Sequence, residues 1–205
     1  GTVIWRNSKN RTTILSDSIA ITSEFFDSQS NVELLLHKDG SSAEIDLAST
    51  WSISDIAEAK RYIPQIGLKP KLYNWFQMAL VEGSIPRGRT TLNGPMDKFP
   101  FDGGEGRLLI EASLRGLIFK YHPLWPATEQ SDMEVVLDNA HLYTTENRSY
   151  SVGIPVVNAK VDIPDLRDPV LSIQSFSTGS LEAIRNFSAQ SPIAEVFGGQ
   201  LDRVA

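Results

Sequence analysis

The stretch from Gly83 to Pro126 reads GSIPRGRTTLNGPMDKFPFDGGEGRLLIEASLRGLIFKYHPLWP. It holds two features of opposite kind. Asn93-Gly94-Pro95, Phe99-Pro100-Phe101 and Gly103-Gly104 crowd turn formers together, which predicts a loop. Arg107 to Tyr121 is an apolar run with hardly a turn former inside it. Leu108, Ile110, Ala112 and Leu114 fall on one face of an extended chain. After Arg115-Gly116 the phase slips, and Leu117, Phe119 and Tyr121 continue that face. A slip at a glycine predicts a β-bulge. Without the bulge, an offset of one residue would turn the last three side chains to the other face. At ~3.3 Å per residue the run from Gly106 to Tyr121 would be about 50 Å long, enough to cross a wide sheet. The expectation is that these seven side chains line the concave side of such a sheet.

Upstream, the apolar period changes twice. Leu72, Trp75, Phe76, Ala79 and Leu80 recur at helical spacing, with Pro70 suited to a first turn and Gly83 to a stop, which predicts a helix over 70–82. An aromatic stripe of this kind either cradles a ligand or packs on a sheet, and the pattern favours packing. A second helix is expected over 53–63, capped by Ser52 with Asp55 as partner and stapled by Trp51 and Ile56. Ile56, Ala59 and Ile63 share its inner face, and Pro64 ends it. Ile85 to Leu92 reads as a strand. Asn31 to His37 alternates, Lys38-Asp39-Gly40 signals a hairpin, and Ala43 to Trp51 returns with Ile45 and Leu47 opposite in sense to Glu44 and Asp46. Thr12 to Leu15 and Ile19 to Thr22 are short strand candidates.

Downstream, Met133 to Leu137 and Ala140 to Thr145 flank Asp138-Asn139. Tyr150 to Val157, Ala159 to Ile163 and Val170 to Phe176 add strands. Ser180 caps a helix carrying Leu181, Ile184 and Phe187, and Ser191-Pro192 opens another that Gly198-Gly199 closes. The fold class is α+β, mainly antiparallel β: an extended, curved, groove-like sheet with a few short covering helices.

The 205 residues are sufficient for one domain, and 41% hydrophobic with 21% charged residues is ordinary for a globular chain. A formal charge of −6 opposes a nucleic-acid partner and docking on anionic lipid by charge alone. With no cysteine, disulfides and thiolate metal sites are excluded. No run of about 18 apolar residues occurs, as a membrane-spanning helix would require. Gly1-Thr2-Val3-Ile4-Trp5 starts directly in strand formers, and the expectation is a single piece, 1–205, of a larger body.

Motifs for catalysis are missing. His37, His122 and His141 have no second ligand at metal spacing. There is no G-x-S-x-G, no P-loop and no dinucleotide fingerprint. Gly103-Gly104-Glu105-Gly106 precedes a strand, so no helix N-terminus backs it for phosphate. Asp97, Asp102, Glu105 and Glu111 would serve glycoside hydrolysis only as a pair about 5–10 Å apart across a cleft, which their spacing neither shows nor excludes. Asn10, Asn147 and Asn186 head glycosylation tripeptides, which act only in a eukaryotic secretory route. The expectation is a protein that is not an enzyme, with no cofactor and no metal.

One ordered set of short motifs remains. It comprises Tyr62-Ile63-Pro64, Leu72 with Trp75-Phe76 and Ala79, Gly83 and Ile85, Leu92 and Gly94, Phe99-Pro100-Phe101, Gly106, Gly116, Tyr121 and Trp125-Pro126. In order and rough spacing it resembles YhdP-type proteins of the AsmA-like group, to which TamB also belongs, most closely over 51–145. The resemblance implies a large periplasmic body anchored in the inner membrane of a Gram-negative bacterium. It also implies a long β-groove that moves phospholipid between the inner and outer membranes, with phospholipid acyl chains as its partner. Physically, such a carrier needs no nucleophile. It needs an extended sheet with one apolar face, since acyl chains contribute about 0.8 kcal/mol per buried CH₂. The alternative is a non-enzymatic structural or protein-interaction module whose apolar face is ordinary core. An open apolar groove separates the first from the second.

Overall fold

The computed structural model describes residues 2–62 and 70–194. Ten strands pair antiparallel in strict chain order: β1 Ile4–Asn7, β2 Arg11–Thr22, β3 Phe26–His37, β4 Glu44–Ile53, β5 Leu80–Pro95, β6 Arg107–Phe119, β7 Thr128–Asp138, β8 His141–Ser151, β9 Ile154–Ile163 and β10 Ser172–Ser177. β1 and β10 are the free edges, so the sheet is open. The link between β4 and β5 carries α1 Ile56–Ala59, a 3-10 turn Lys60–Tyr62 and α2 Pro70–Ala79, and α3 Leu181–Ala189 follows β10.

Directly paired residues point to the same side of a sheet. The register Ile14–Leu34–Ile45 on β2 to β4, Leu47–Leu92–Leu108 on β4 to β6, and Ile110–Leu137–Leu142–Ile163 on β6 to β9 therefore joins one aliphatic face across eight strands. The other side carries Glu33, Asp46, Asn93 and Arg107 in successive register. β4 shows the contrast within one strand: Ile45, Leu47, Ser49 and Trp51 are half-buried between exposed Glu44, Asp46, Ala48 and Thr50.

The three helices lie over one end of the apolar face. Ile56 of α1 packs on Leu114, Leu117 and Met133 to form the buried cluster. Trp75 of α2 stands edge-on to Phe119 at 5.8 Å, and its indole N–H donates to the Tyr121 carbonyl at 3.0 Å. Phe187 of α3 meets the Trp125 ring at 6.0 Å. At the opposite end the loop after β5 folds Phe101 inward, 2% exposed, onto the space that side chains at Gly94 and Gly106 would occupy.

Several expected boundaries move, each for a hydrogen-bonding reason. The helix expected over 53–63 starts later, because Ser52 and Ile53 remain paired with Asp27 and Phe26 in the β3–β4 ladder. The cap passes to Asp55, whose carboxylate accepts from the Glu58 N–H at 3.2 Å. Trp51 also stays in β4 and donates to Thr90 Oγ1 at 3.0 Å. Ile63 and Pro64 lie outside the described residues. The helix expected over 70–82 ends at Ala79, since Leu80 already pairs with Phe119, and Gly83 falls inside β5 at an irregular register instead of stopping a helix. β5 is consequently the longest strand, 16 residues against 13 in β6. The strand expected over Tyr150 to Val157 is two strands, parted by Val152 and Gly153 at φ 50° and 76°. α3 forms with Ser180 as its cap, accepting from the Ala183 N–H at 3.2 Å. The helix expected after Ser191-Pro192 falls largely outside the described residues.

Candidate functional site

The slip in β6 is a bulge. Leu114 pairs with Met133 and Leu117 with Ser131, so Arg115 and Gly116 together oppose the single residue Asp132. Gly116 adopts φ +60°, the left-handed region a side chain disfavours. Its N–H donates to Asp132 Oδ1 at 3.1 Å, and Arg148 donates to Asp132 Oδ2 at 2.9 Å. The Gly116 N–H, helped by the nearby guanidinium groups of Arg148 and Arg115, holds the Asp132 carboxyl below its ordinary 3.8 against a smaller opposing effect of burial. A depressed carboxylate stabilises fully above its unfolded value and ceases to as pH falls through its folded value. Asp132→Asn should therefore flatten the acid limb of stability below about pH 4, compared by thermal melts at neutral and acid pH. Identical acid limbs in the two proteins would remove Asp132 from the account.

Six of the seven expected positions lie on β6 and Tyr121 follows its end, and they fall into three groups. Leu108, Ile110 and Ala112 are half-buried on the aliphatic face beside Leu92, Thr90 and Gly88. Leu114 and Leu117, 8% and 0% exposed, are packed beneath Ile56. Phe119 and Tyr121 sit beside Trp75 and Trp125. Their neighbours on the same face, Met133, Val135 and Leu137 of β7 and Ile154, Val156, Val161 and Ile163 of β9, were not among the expected site residues. The alternation of Met133 to Leu137 opposite β6 was the signal for the first three.

Two hollows differ in character. One, of about 770 Å³, opens on the aliphatic face between α3, the Trp125 loop and strands β6 to β10, lined by Phe119, Trp125, Ile154, Val156, Ile173 and Phe187 among others. The other, of about 1120 Å³, is on the opposite face and is polar. There Arg87 donates to Ser113 Oγ at 3.2 Å, Ser113 Oγ donates to Glu134 Oε2 at 2.6 Å, and Arg115 pairs with Glu134. Burial works to raise the Glu134 carboxyl, but the Ser113 hydroxyl and Arg115 outweigh it and keep it below its ordinary 4.5. Stripping water from such paired charges is costly, so the larger hollow is a poor seat for hydrocarbon.

The other polar candidates resolve into local contacts. His37 meets Glu44 at 3.1 Å, His141 meets Asp162 at 2.7 Å, and His122 Nδ1 accepts from the Leu124 N–H. Asp102 pairs with Arg167 at 2.6 Å, and Glu111 lies on the polar face in register with Arg89 and Val136. Among the described residues no three His, Asp or Glu side chains gather as a metal site, and no helix is long and apolar enough to cross a membrane. Asn147, which heads one of the glycosylation tripeptides, donates its amide to the Ala159 carbonyl at 2.6 Å.

The chain thus folds as an open, groove-like antiparallel meander, aliphatic on one face and charged on the other. The chain belongs to the YhdP family: the family model described as YhdP protein matches residues 1–205. It is 24% identical over 153 residues to the intermembrane phospholipid transporter YhdP of Escherichia coli strain K12, an alignment covering 75% of this chain and 12% of that protein. No solved structure matches the chain.

Proposed function

We propose that this chain is one length of a phospholipid-carrying groove in the envelope of a Gram-negative bacterium, passing lipid between inner and outer membranes. The aliphatic face holds acyl chains, and no bond is made or broken. In the intact protein this periplasmic body hangs from an inner-membrane anchor. The observation that carries the reading is the run of paired aliphatic residues from Ile14 to Ile163, continuous across eight strands and only half-buried at Leu34, Ile45, Leu47, Leu92, Leu108 and Ile110. A sealed core would bury such residues, and an aliphatic surface left part-open retains affinity for hydrocarbon. The attraction is spread over many weak contacts, so a chain can slide without breaking any one strong bond. The name of the bacterial relative supports the same substrate class. Leu114 and Leu117 are the exception: the lid of Ile56 fits ordinary core there, and the path runs beside them.

The test is capture in place. A photo-crosslinking amino acid at Leu47 of the full-length protein in cells should yield a phospholipid adduct by mass spectrometry. The same residue at exposed Asp46, one position along, should yield none. Equal adducts at both, or none at Leu47, would refute the carrier reading.

A further inference from the structure

α3 does not lie flat on the sheet. Ile184 and Phe187, three residues apart on one helical face, both line the hollow of about 770 Å³, yet Ile184 stays 42% exposed. Ile173 of β10 lines the same hollow and is also 42% exposed. A helix packed directly on a sheet would bury such residues. Here two apolar walls border one space that neither fills.

The helix is held at its two ends. Ahead of its N-terminus, the Gly179 backbone runs so close to β9 that a methyl group there would touch Ile154, 3.4 Å away. Near its C-terminus, the Phe187 ring meets Trp125 at 6.0 Å. Trp125 stands on a fixed loop: Lys120 Nζ donates to its carbonyl, and the Trp75 indole N–H donates to the Tyr121 carbonyl at 3.0 Å. The rings of Trp75, Phe119, Tyr121, Trp125 and Phe187 follow one another at 5.8 to 6.3 Å, a continuous aromatic bar from α2 to α3.

What the space can hold follows from its lining. Among the described residues no Asp, Glu, Lys or Arg lines it, and its polar groups are chiefly hydroxyls. A phosphate would find no cation there and would shed its water uncompensated. Hydrocarbon suits the aliphatic and aromatic walls, and a hollow of about 770 Å³ has the size of a small-ligand site. The space also continues the aliphatic face. Ile163 ends the register Ile110–Leu137–Leu142–Ile163, and Val161, two residues earlier on the same side of β9, lines the hollow.

We propose that α3 is a strap across the groove: it closes on an acyl chain laid in the hollow, with the Trp125–Phe187 contact as its catch, and keeps the phosphate headgroup outside. The proposal rests on the carrier reading above. It adds a place where a chain is held and the way round in which the lipid lies.

The experiment uses the full-length protein and vesicles of phosphatidylethanolamine with a diazirine either at the end of one acyl chain or on the headgroup. After irradiation, the labelled residues are found by digestion and mass spectrometry. The acyl probe should mark Ile184 and Phe187 but not Glu182 or Asn186, which are exposed on the outer side of α3. The headgroup probe should mark none of the four. At limiting lipid, Phe187→Ala should lower the acyl mark at Ile184 roughly two- to tenfold, as loss of one aromatic pair predicts, and leave the mark at Leu47 unchanged. Equal marks on the two sides of α3, a headgroup mark at Ile184, or an acyl mark there that is undiminished in Phe187→Ala would each overturn the strap. Acyl marks at Leu47 with none on α3 overturn the strap and leave the carrier reading standing, whereas an acyl probe that marks neither sinks both. Should Phe187→Ala not fold, the two probes on the parent decide.

Discussion

Ile110→Asp is expected to leave the sheet folded and to stop lipid passage. Ile110 lies on the open part of the aliphatic face, half-buried, with Thr90 and Leu137 in register on either side. In the empty groove a carboxylate there keeps much of its water, so folding loses little beyond the aliphatic contacts of one side chain. When an acyl chain moves over the position, that water must leave, and an unpaired charge then costs several kcal/mol or more. No arginine or lysine stands in register to offset it. The full-length variant should accumulate to parental levels, and cells carrying it should behave like cells without the protein in envelope-barrier assays. Ile110→Leu, which keeps the surface aliphatic, should behave as the parent. A folded Ile110→Asp protein with an intact barrier would remove this strand from the lipid path.

The same charge seven residues on should have the opposite signature. Leu117→Asp is expected to prevent folding. Leu117 is fully buried in the cluster with Ile56, Leu114 and Met133. Truncating a buried leucine to alanine costs about 2–5 kcal/mol. A carboxylate adds the cost of a buried charge with no partner, and a domain holds only about 5–15 kcal/mol in reserve. The variant protein should be degraded in cells, and Leu117→Ala should melt well below the parent. Parental abundance of Leu117→Asp would mean that α1 lifts away from β6 and that Leu117 belongs to the open path after all. The two substitutions together separate groove from core within a single strand.

How far the fold was legible follows from which interactions are local. The alternation at Asn31 to His37 and Ala43 to Trp51, and the slip at Arg115-Gly116, are read along one strand, and they appear as β3, β4 and the bulge. The helix of Leu181, Ile184 and Phe187 was legible from its cap and spacing, both local. Boundaries set by pairing were not. Nothing near Leu80 says that Phe119 will claim it, and nothing near Ser52 says that Asp27 will. Val152 at positive φ runs against a β-branched preference, so the turn after β8 was hidden inside an apparent strand. On the site, the alternation and the slip along β6 could be read from one strand. The division of its positions into open and covered ones depends on Ile56 coming back over the sheet, which spacing within β6 cannot reveal.

The strictly sequential order of the strands makes this sheet a ruler. Each strand pairs only with its neighbours in the chain, so length grows as a count: nine spacings at about 4.8 Å give roughly 43 Å of sheet. Adding or losing strands in pairs preserves chain direction and the sense of both faces, and leaves distant strands unaware of the change, as in other one-dimensional architectures. The span of such a sheet can thus be adjusted in steps of about 10 Å, two strands at a time, without redesigning either face.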